Sequence, residues 1–261
     1  MDVAPSQRAT RSTADNESAC DSYSVLRGRD VPESRLGGWR ERRMVVDARL
    51  TGYRPLRKNW DGLGDFVYLA DSYLASGERT GYHEHDGVDV VTVVLMGKLL
   101  HRGVLRDECV VEAASALVQC SGSMGFGHDE LNTGPETCRV LQIMFLSAAG
   151  SGRAGYRTMS LPRDGRHTIY RSGMRGSADE SNSTSLTIVA SADGERLRVP
   201  GSSVIYVADG SLAIVDETVL AGDMLRGTDL CMDVAGGSRL MIVSNVKSPR
   251  LQVRRPMTEE A

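Results

Sequence analysis

The chain has 261 residues, 41% of them hydrophobic and 25% charged, with a formal net charge of −3. That composition suits one large or two ordinary globular domains and excludes global disorder. The near balance of charge argues against a protein that coats nucleic acid, and no apolar run approaches the roughly 20 residues of a membrane-spanning helix.

Residues 1–22 are rich in Ser, Thr, Ala, Asp and Asn and carry scarcely one large apolar side chain, so a disordered N-terminal tail is expected. The first 17 residues lack the apolar stretch of a secretory signal. Five cysteines, Cys20, Cys109, Cys120, Cys138 and Cys231, show no C-x-x-C spacing. Free thiols in a cytoplasmic setting are the expectation.

From Tyr23 to Gly64 the chain is Arg-rich, holds both tryptophans (Trp39 and Trp60) and shows no clear period. Beyond it the pattern sharpens. Asp65–Asp71, Gly87–Leu95 and Arg139–Leu146 are short, β-branched or aromatic, and bounded by turn residues, which predicts strands. A glycine-rich joint follows over 150–155, and a polar loop is expected over 172–185. Strands are predicted again over 185–190, 203–208, 211–215 and 239–243. No helical stripe of three turns interrupts them. Many short strands without helices predict an all-β protein, and the two halves predict two barrels or sandwiches. The division is a tail over 1–22, a first unit over 23–160 and a second over 161–261.

The five histidines are His83, His85, His101, His128 and His167. His83-Glu-His85 opens a predicted strand, where residues two apart share a face. His128-Asp-Glu130 repeats that spacing, and Asp89 has the parity of His85. Two such strands on facing walls would bring three imidazoles and one carboxylate to a single ion, with Glu130 and Asp89 both open to the carboxylate role. Imidazole with carboxylate suits iron, nickel, copper or zinc. His101 is a candidate partner of a ligand or a proton carrier at the mouth, or else a strand-end histidine. Tyr82, Phe126 and Met144 are candidate substrate contacts, or simply barrel core.

Gly77-x5-His83-x-His85, then Gly97, then His128-x3-Asn132 resembles the two signature motifs of the cupin superfamily. More narrowly, the stretch from Leu63 to Ser160 resembles the pirin family of two-barrel cupins, whereas the C-terminal half matches by strand pattern alone. The resemblance implies two cupin-type β-barrels (a bicupin), with a mononuclear metal in the N-terminal one. It places the ligands on His83, His85, His128 and Glu130, with Asp89 as the alternative carboxylate. Fe(II) is the implied ion, with Ni, Mn, Cu and Zn as other divalent candidates. The second barrel is expected without metal, since His167 is the sole histidine after Arg166. Glu84, Asp89, Met96 and Gly103 depart from the family pattern, which leaves the metal better supported than the substrate.

The implied function is a metal-dependent oxygenase acting with O2 on a small phenolic or enol substrate. Glu130 and His101 are its candidate catalytic residues. Two alternatives stand beside it: a metal- or redox-sensing regulator that binds a protein partner without turnover, and a non-oxidative isomerase or lyase. Neither nucleic acid nor membrane is an expected partner.

Overall fold

The computed structural model describes residues 22–36, 38–52, 58–147, 154–172, 183–245 and 253–254. Apart from their edges, the predicted tail, the glycine-rich joint and the loop over 172–185 lie outside the described residues.

The described residues are almost wholly β. The first half holds β1 (Tyr23–Leu26), β2 (Glu33–Leu36), β3 (Trp39–Val46), β4 (Phe66–Leu74), β5 (His83–His85), β6 (Val88–Met96), β7 (Lys98–Gly103), β8 (Arg106–Glu112), β9 (Ser115–Cys120), β10 (Phe126–Asn132), β11 (Cys138–Leu146) and β12 (Gly155–Ser160). The second half holds β13 (Gly165–Arg171), β14 (Thr184–Ser191), β15 (Glu195–Asp209), β16 (Ser211–Ile214), β17 (Glu217–Leu220), β18 (Met224–Val234), β19 (Ser238–Asn245) and β20 (Val253–Arg254).

Three antiparallel sheets result. A seven-stranded sheet runs β12-β9-β6-β11-β4-β3-β2, and a four-stranded sheet runs β5-β10-β7-β8. These two face each other as the first barrel, with Leu74, Val94, Leu99, Val111, Leu117 and Val140 packed between them. The second barrel is a nine-stranded sheet, β13-β14-β19-β15-β18-β16-β17, with β1 on β18 and β20 on β15. Its own core includes Leu197, Val199, Ile205, Leu230 and Ile242.

The central strands of the seven-stranded sheet are buried on both faces, which explains why Val90–Met96 reads as an almost unbroken apolar run. Val90 and Met144 share a cluster inside the first barrel. Their alternate neighbours Val91, Val93, Leu141, Ile143 and Phe145 join the largest core cluster, together with Tyr170, Ile188, Tyr206 and Met241 of the second barrel. The Phe145 and Tyr170 rings stand 4.4 Å apart between centroids. Beside them the Arg139 guanidinium forks onto Asp71 at 3.0 Å through both Nε and Nη2, and the Tyr206 hydroxyl donates to the same carboxylate at 2.8 Å. The two barrels therefore share one largely apolar face with a buried ion pair beside it.

The Arg-rich stretch holds the strand β3, whose Trp-Arg-Glu-Arg-Arg charges leave no readable period although it buries Trp39, Glu41 and Met44–Val46. One feature departs from the sequence-based expectation. β1, assigned by the boundary at residue 23 to the first unit, pairs with β18 of the second barrel, Tyr23 opposite Gly227.

Candidate metal centre

The site is built on the inner face of the four-stranded sheet, so the two histidine motifs are paired neighbours on one wall and not on the facing walls expected from the sequence. β10 lies between β5 and β7, with His128 opposite both His83 and Gly103, Phe126 opposite His85, and Glu130 opposite His101. The period-two pleat turns Phe126, His128 and Glu130 inward together, while Gly127 and Asp129 face out. Gly103 permits the close approach of β7, because a Cβ there would stand 2.7 Å from the Gly127 carbonyl oxygen and 2.9 Å from the His128 Cβ.

The imidazoles converge. His128 Nε2 lies 2.8 Å from His83 Nε2 and 3.0 Å from His85 Nε2. His83 Nδ1 lies 2.9 Å from the Gly81 carbonyl oxygen, so that nitrogen carries the proton and Nε2 presents its lone pair. The donor atoms of His83, His85 and His128 form one group within 4.8 Å, and those of His101, His128 and Glu130 form a second. Glu130 thus reaches the trio through His128 and is not a fourth member of the first group.

Side chains of the opposite, seven-stranded sheet hold these groups from behind. Gln142 on β11 donates to both Glu130 oxygens, at 3.0 and 2.9 Å, and Thr92 on β6 donates to Oε1 at 3.3 Å. Gln119 on β9 places Oε1 at 3.0 Å from His128 Nδ1. Sequence reasoning found none of Thr92, Gln119 and Gln142, because single polar residues in apolar strands form no spaced motif. Thr92 interrupting the β6 run was the one visible sign.

The electrostatics favour uncharged imidazoles. Burial, reinforced by the neighbouring His83, pushes His85 down to about 4. Burial likewise takes His101 to about 4 against its hydrogen bond to Gln119 Oε1, and drives His128 far below the ordinary histidine range. Burial raises Glu130 to about 7, opposed by its hydrogen bonds from Gln142 and Thr92. In the metal-free protein the unfolded chain therefore takes up imidazole protons below about 6.5 that the folded chain refuses until lower pH, so these histidines cost stability as pH falls. Glu130 acts in the opposite sense between 4.5 and about 7, but it is one group against three. The urea midpoint of metal-free protein is expected to drop between pH 7 and pH 5; an equal or higher midpoint at pH 5 contradicts this balance.

Other expected site residues separate clearly. Phe126 lies with its ring 5.3 Å from that of His85 and so lines the interior beside the histidines, and Met144 packs against the same apolar cluster. Tyr82 is 60% exposed, and its hydroxyl lies over Gly127 on the outer face. Alternation along β5 sends it away from the histidines, which corrects its assignment as a substrate contact. His101 is fully buried, neither at the mouth nor an exposed strand end. Asp89 is also misplaced as a ligand: Oδ1 accepts from the Ser121 backbone N–H at 2.9 Å and Oδ2 from the Tyr170 hydroxyl at 2.9 Å. The parity argument fails because β5 and β6 belong to different sheets, separated at Asp86 and Gly87, where φ is +66°.

The donor set fits a divalent ion. Two nitrogens bound about 2.1 Å from one ion at right angles stand about 3.0 Å apart, close to the two separations found here. Neutral imidazoles with one carboxylate are the ligands that iron, nickel, copper and zinc share.

No family model matches the chain. A pirin-like protein of Caulobacter vibrioides is 28% identical over 130 residues, 49% of this chain and 54% of that protein. A provisionally named quercetin 2,3-dioxygenase of Zymomonas mobilis is 27% identical over 124 residues, 46% of this chain and 51% of that one. The chain spans about half the length of these curated relatives. Among solved structures, a bacterial pirin of Escherichia coli in complex with nickel(II) superimposes with a TM-score of 0.71 at 17% identity, over 86% of this chain and 99% of the other. A quercetin 2,3-dioxygenase from Acinetobacter baumannii gives 0.63 at 12% identity, over 86% and 79%. The fold is that of the two-barrel cupins, with a histidine cluster suited to a divalent metal. Within that class the chain is similar to the pirins, as its motifs imply. No helix among the described residues is long and apolar enough to cross a membrane.

Proposed function

We propose that the protein is a mononuclear metal-dependent oxygenase, with Fe(II) as its ion, acting with O2 on a small phenolic or enol substrate. The observation that carries this reading is the meeting of three imidazole Nε2 atoms on one inner sheet face, with Glu130 next along the same strand. The relatives named as quercetin dioxygenases support the reaction class, and the nickel-bound pirin supports a divalent ion.

His83, His85 and His128 would hold the ion, with Glu130 as the carboxylate. When bound, the ion supplies a Lewis-acid and redox centre at which substrate and O2 are oriented and activated. Phe126 beside His85, with Met144 packed against the same cluster, would give an apolar wall suited to a flat, apolar substrate. Glu130 is a carboxyl that burial holds near neutrality, suited to take a substrate proton at Oε1 or Oε2 while Gln142 fixes its orientation. His83 and His85 are partly exposed, so access to the cluster is from the β5 side.

The test joins elemental analysis of purified protein with O2-uptake measurements on anaerobic samples loaded with flavonols, catechols and enols, then admitted to air. One iron per chain and substrate-dependent O2 consumption are expected. A bound metal with no uptake across the panel favours the regulatory alternative. Turnover without O2 on a non-redox ion favours an isomerase or lyase.

A further inference from the structure

Behind His128 lies a cluster that the donor set does not use. His101 Nε2 on β7 stands 2.7 Å from His128 Nδ1. Gln119 Oε1 on β9 lies 3.1 Å from His101 Nε2 and 3.0 Å from His128 Nδ1. All three side chains are fully buried. The missing side chain at Gly103 leaves room for the two rings, since a Cβ there would meet His101 Cε1 at 3.3 Å as well as the His128 Cβ.

For Nε2 of His128 to present a lone pair, the ring proton must sit on Nδ1. Gln119 Oε1 can only accept, so it accepts a hydrogen bond from that Nδ1–H, and His101 Nε2 accepts from the same N–H in a three-centre bond. His101 then carries its own proton on Nδ1. That Nδ1 and the Gln119 Nε2 are both buried without a hydrogen-bond partner among the described residues. Buried polar atoms left unpaired destabilise a fold. This pair is therefore a poor structural device, whereas its one well-made contact is with the back of His128.

We infer that His101 and Gln119 are positioning residues that lock the His128 ring with Nε2 turned toward His83 and His85. The inference rests on the metal-centre reading above and assigns His101 a role away from the substrate.

The test uses the full chain with nickel(II) as probe. Affinity is measured by chelator competition, and stability by urea unfolding of metal-free protein. His101→Phe and Gln119→Leu keep shape but remove the polar atoms. Each is expected to weaken nickel binding about 10- to 100-fold. The double variant is expected to lose little more than the weaker-binding single, because both residues act through one proton. Metal-free stability is expected to stay level or rise. Gln119→Glu keeps the accepting oxygen and is expected to hold nickel at least as tightly as the wild type, which covers the case of a poorly folding Leu or Phe variant. Affinities within about twofold of wild type, or a fall in metal-free stability that parallels the loss of affinity, overturn the positioning role. Wild-type protein that takes up no nickel overturns the metal-centre reading and this inference together. Wild-type binding with indifferent variants overturns this inference alone.

Discussion

His128→Ala is expected to abolish stable metal retention while both barrels stay folded. His128 is the one side chain whose donor atoms touch every other part of the cluster: His83 and His85 through Nε2, His101 and Gln119 through Nδ1. Its removal deletes a proposed ligand and the member shared by Glu130's group and the histidine trio. The loss of affinity should exceed the roughly 10- to 100-fold that follows from removing a partner behind a ligand. The fold has its support elsewhere. The shared face of the two barrels and the core of the second barrel are apolar clusters that do not include His128. His83→Ala should also strip the metal, and it disturbs less because His83 is only partly buried. Metal content by plasma emission, read beside far-UV circular dichroism, is the measurement. Stoichiometric metal in either folded variant would sink the ligand assignment.

Glu130→Gln against Asp89→Asn is the second large effect. Glu130 sits two residues beyond His128 on the same inward face of β10 and is oriented by Gln142 and Thr92. On the proposed reading, exchanging its carboxylate for an amide removes the anionic ligand and the proton acceptor at once, so metal binding or activity should fall more than about tenfold. Asp89→Asn should leave metal affinity within about twofold, because both Asp89 oxygens are engaged by Ser121 and Tyr170 at the face between the barrels. Its cost appears in stability instead, about 1–3 kcal/mol, from weakening a buried charge-assisted contact with the Tyr170 hydroxyl. Isothermal titration with the metal and urea unfolding separate the two outcomes. If Asp89→Asn strips the metal while Glu130→Gln retains it, Asp89 is the carboxylate ligand and the Glu130 assignment is wrong.

The strand content was legible in the sequence wherever β-branched and aromatic residues ran between turn residues, as in Phe66–Leu74, Val88–Met96 and Cys138–Leu146. The His83, His85 and His128 cluster was legible for a related reason. Spacing of two on a strand sets the face a side chain takes, whichever sheet the strand joins. Phe126, which the sequence left open between substrate contact and barrel core, stands beside the histidines because it shares parity with His128 on β10. Parity is a local property, however, and it holds only while the strand is unbroken. Asp89 shares parity with His85 but lies beyond Gly87, on a strand of the other sheet, and so it faces the second barrel. Which strands pair, and which faces oppose, depends on contacts between residues far apart in the chain. The tertiary structure therefore decided that Thr92, Gln119 and Gln142 stand behind the donors, that His101 is buried against His128, and that Tyr23–Leu26 completes the second sheet. A lone Gln or Thr in an apolar strand declares only that a buried polar group needs a partner. The identity of that partner is set by the facing sheet, and no local sequence pattern carries it.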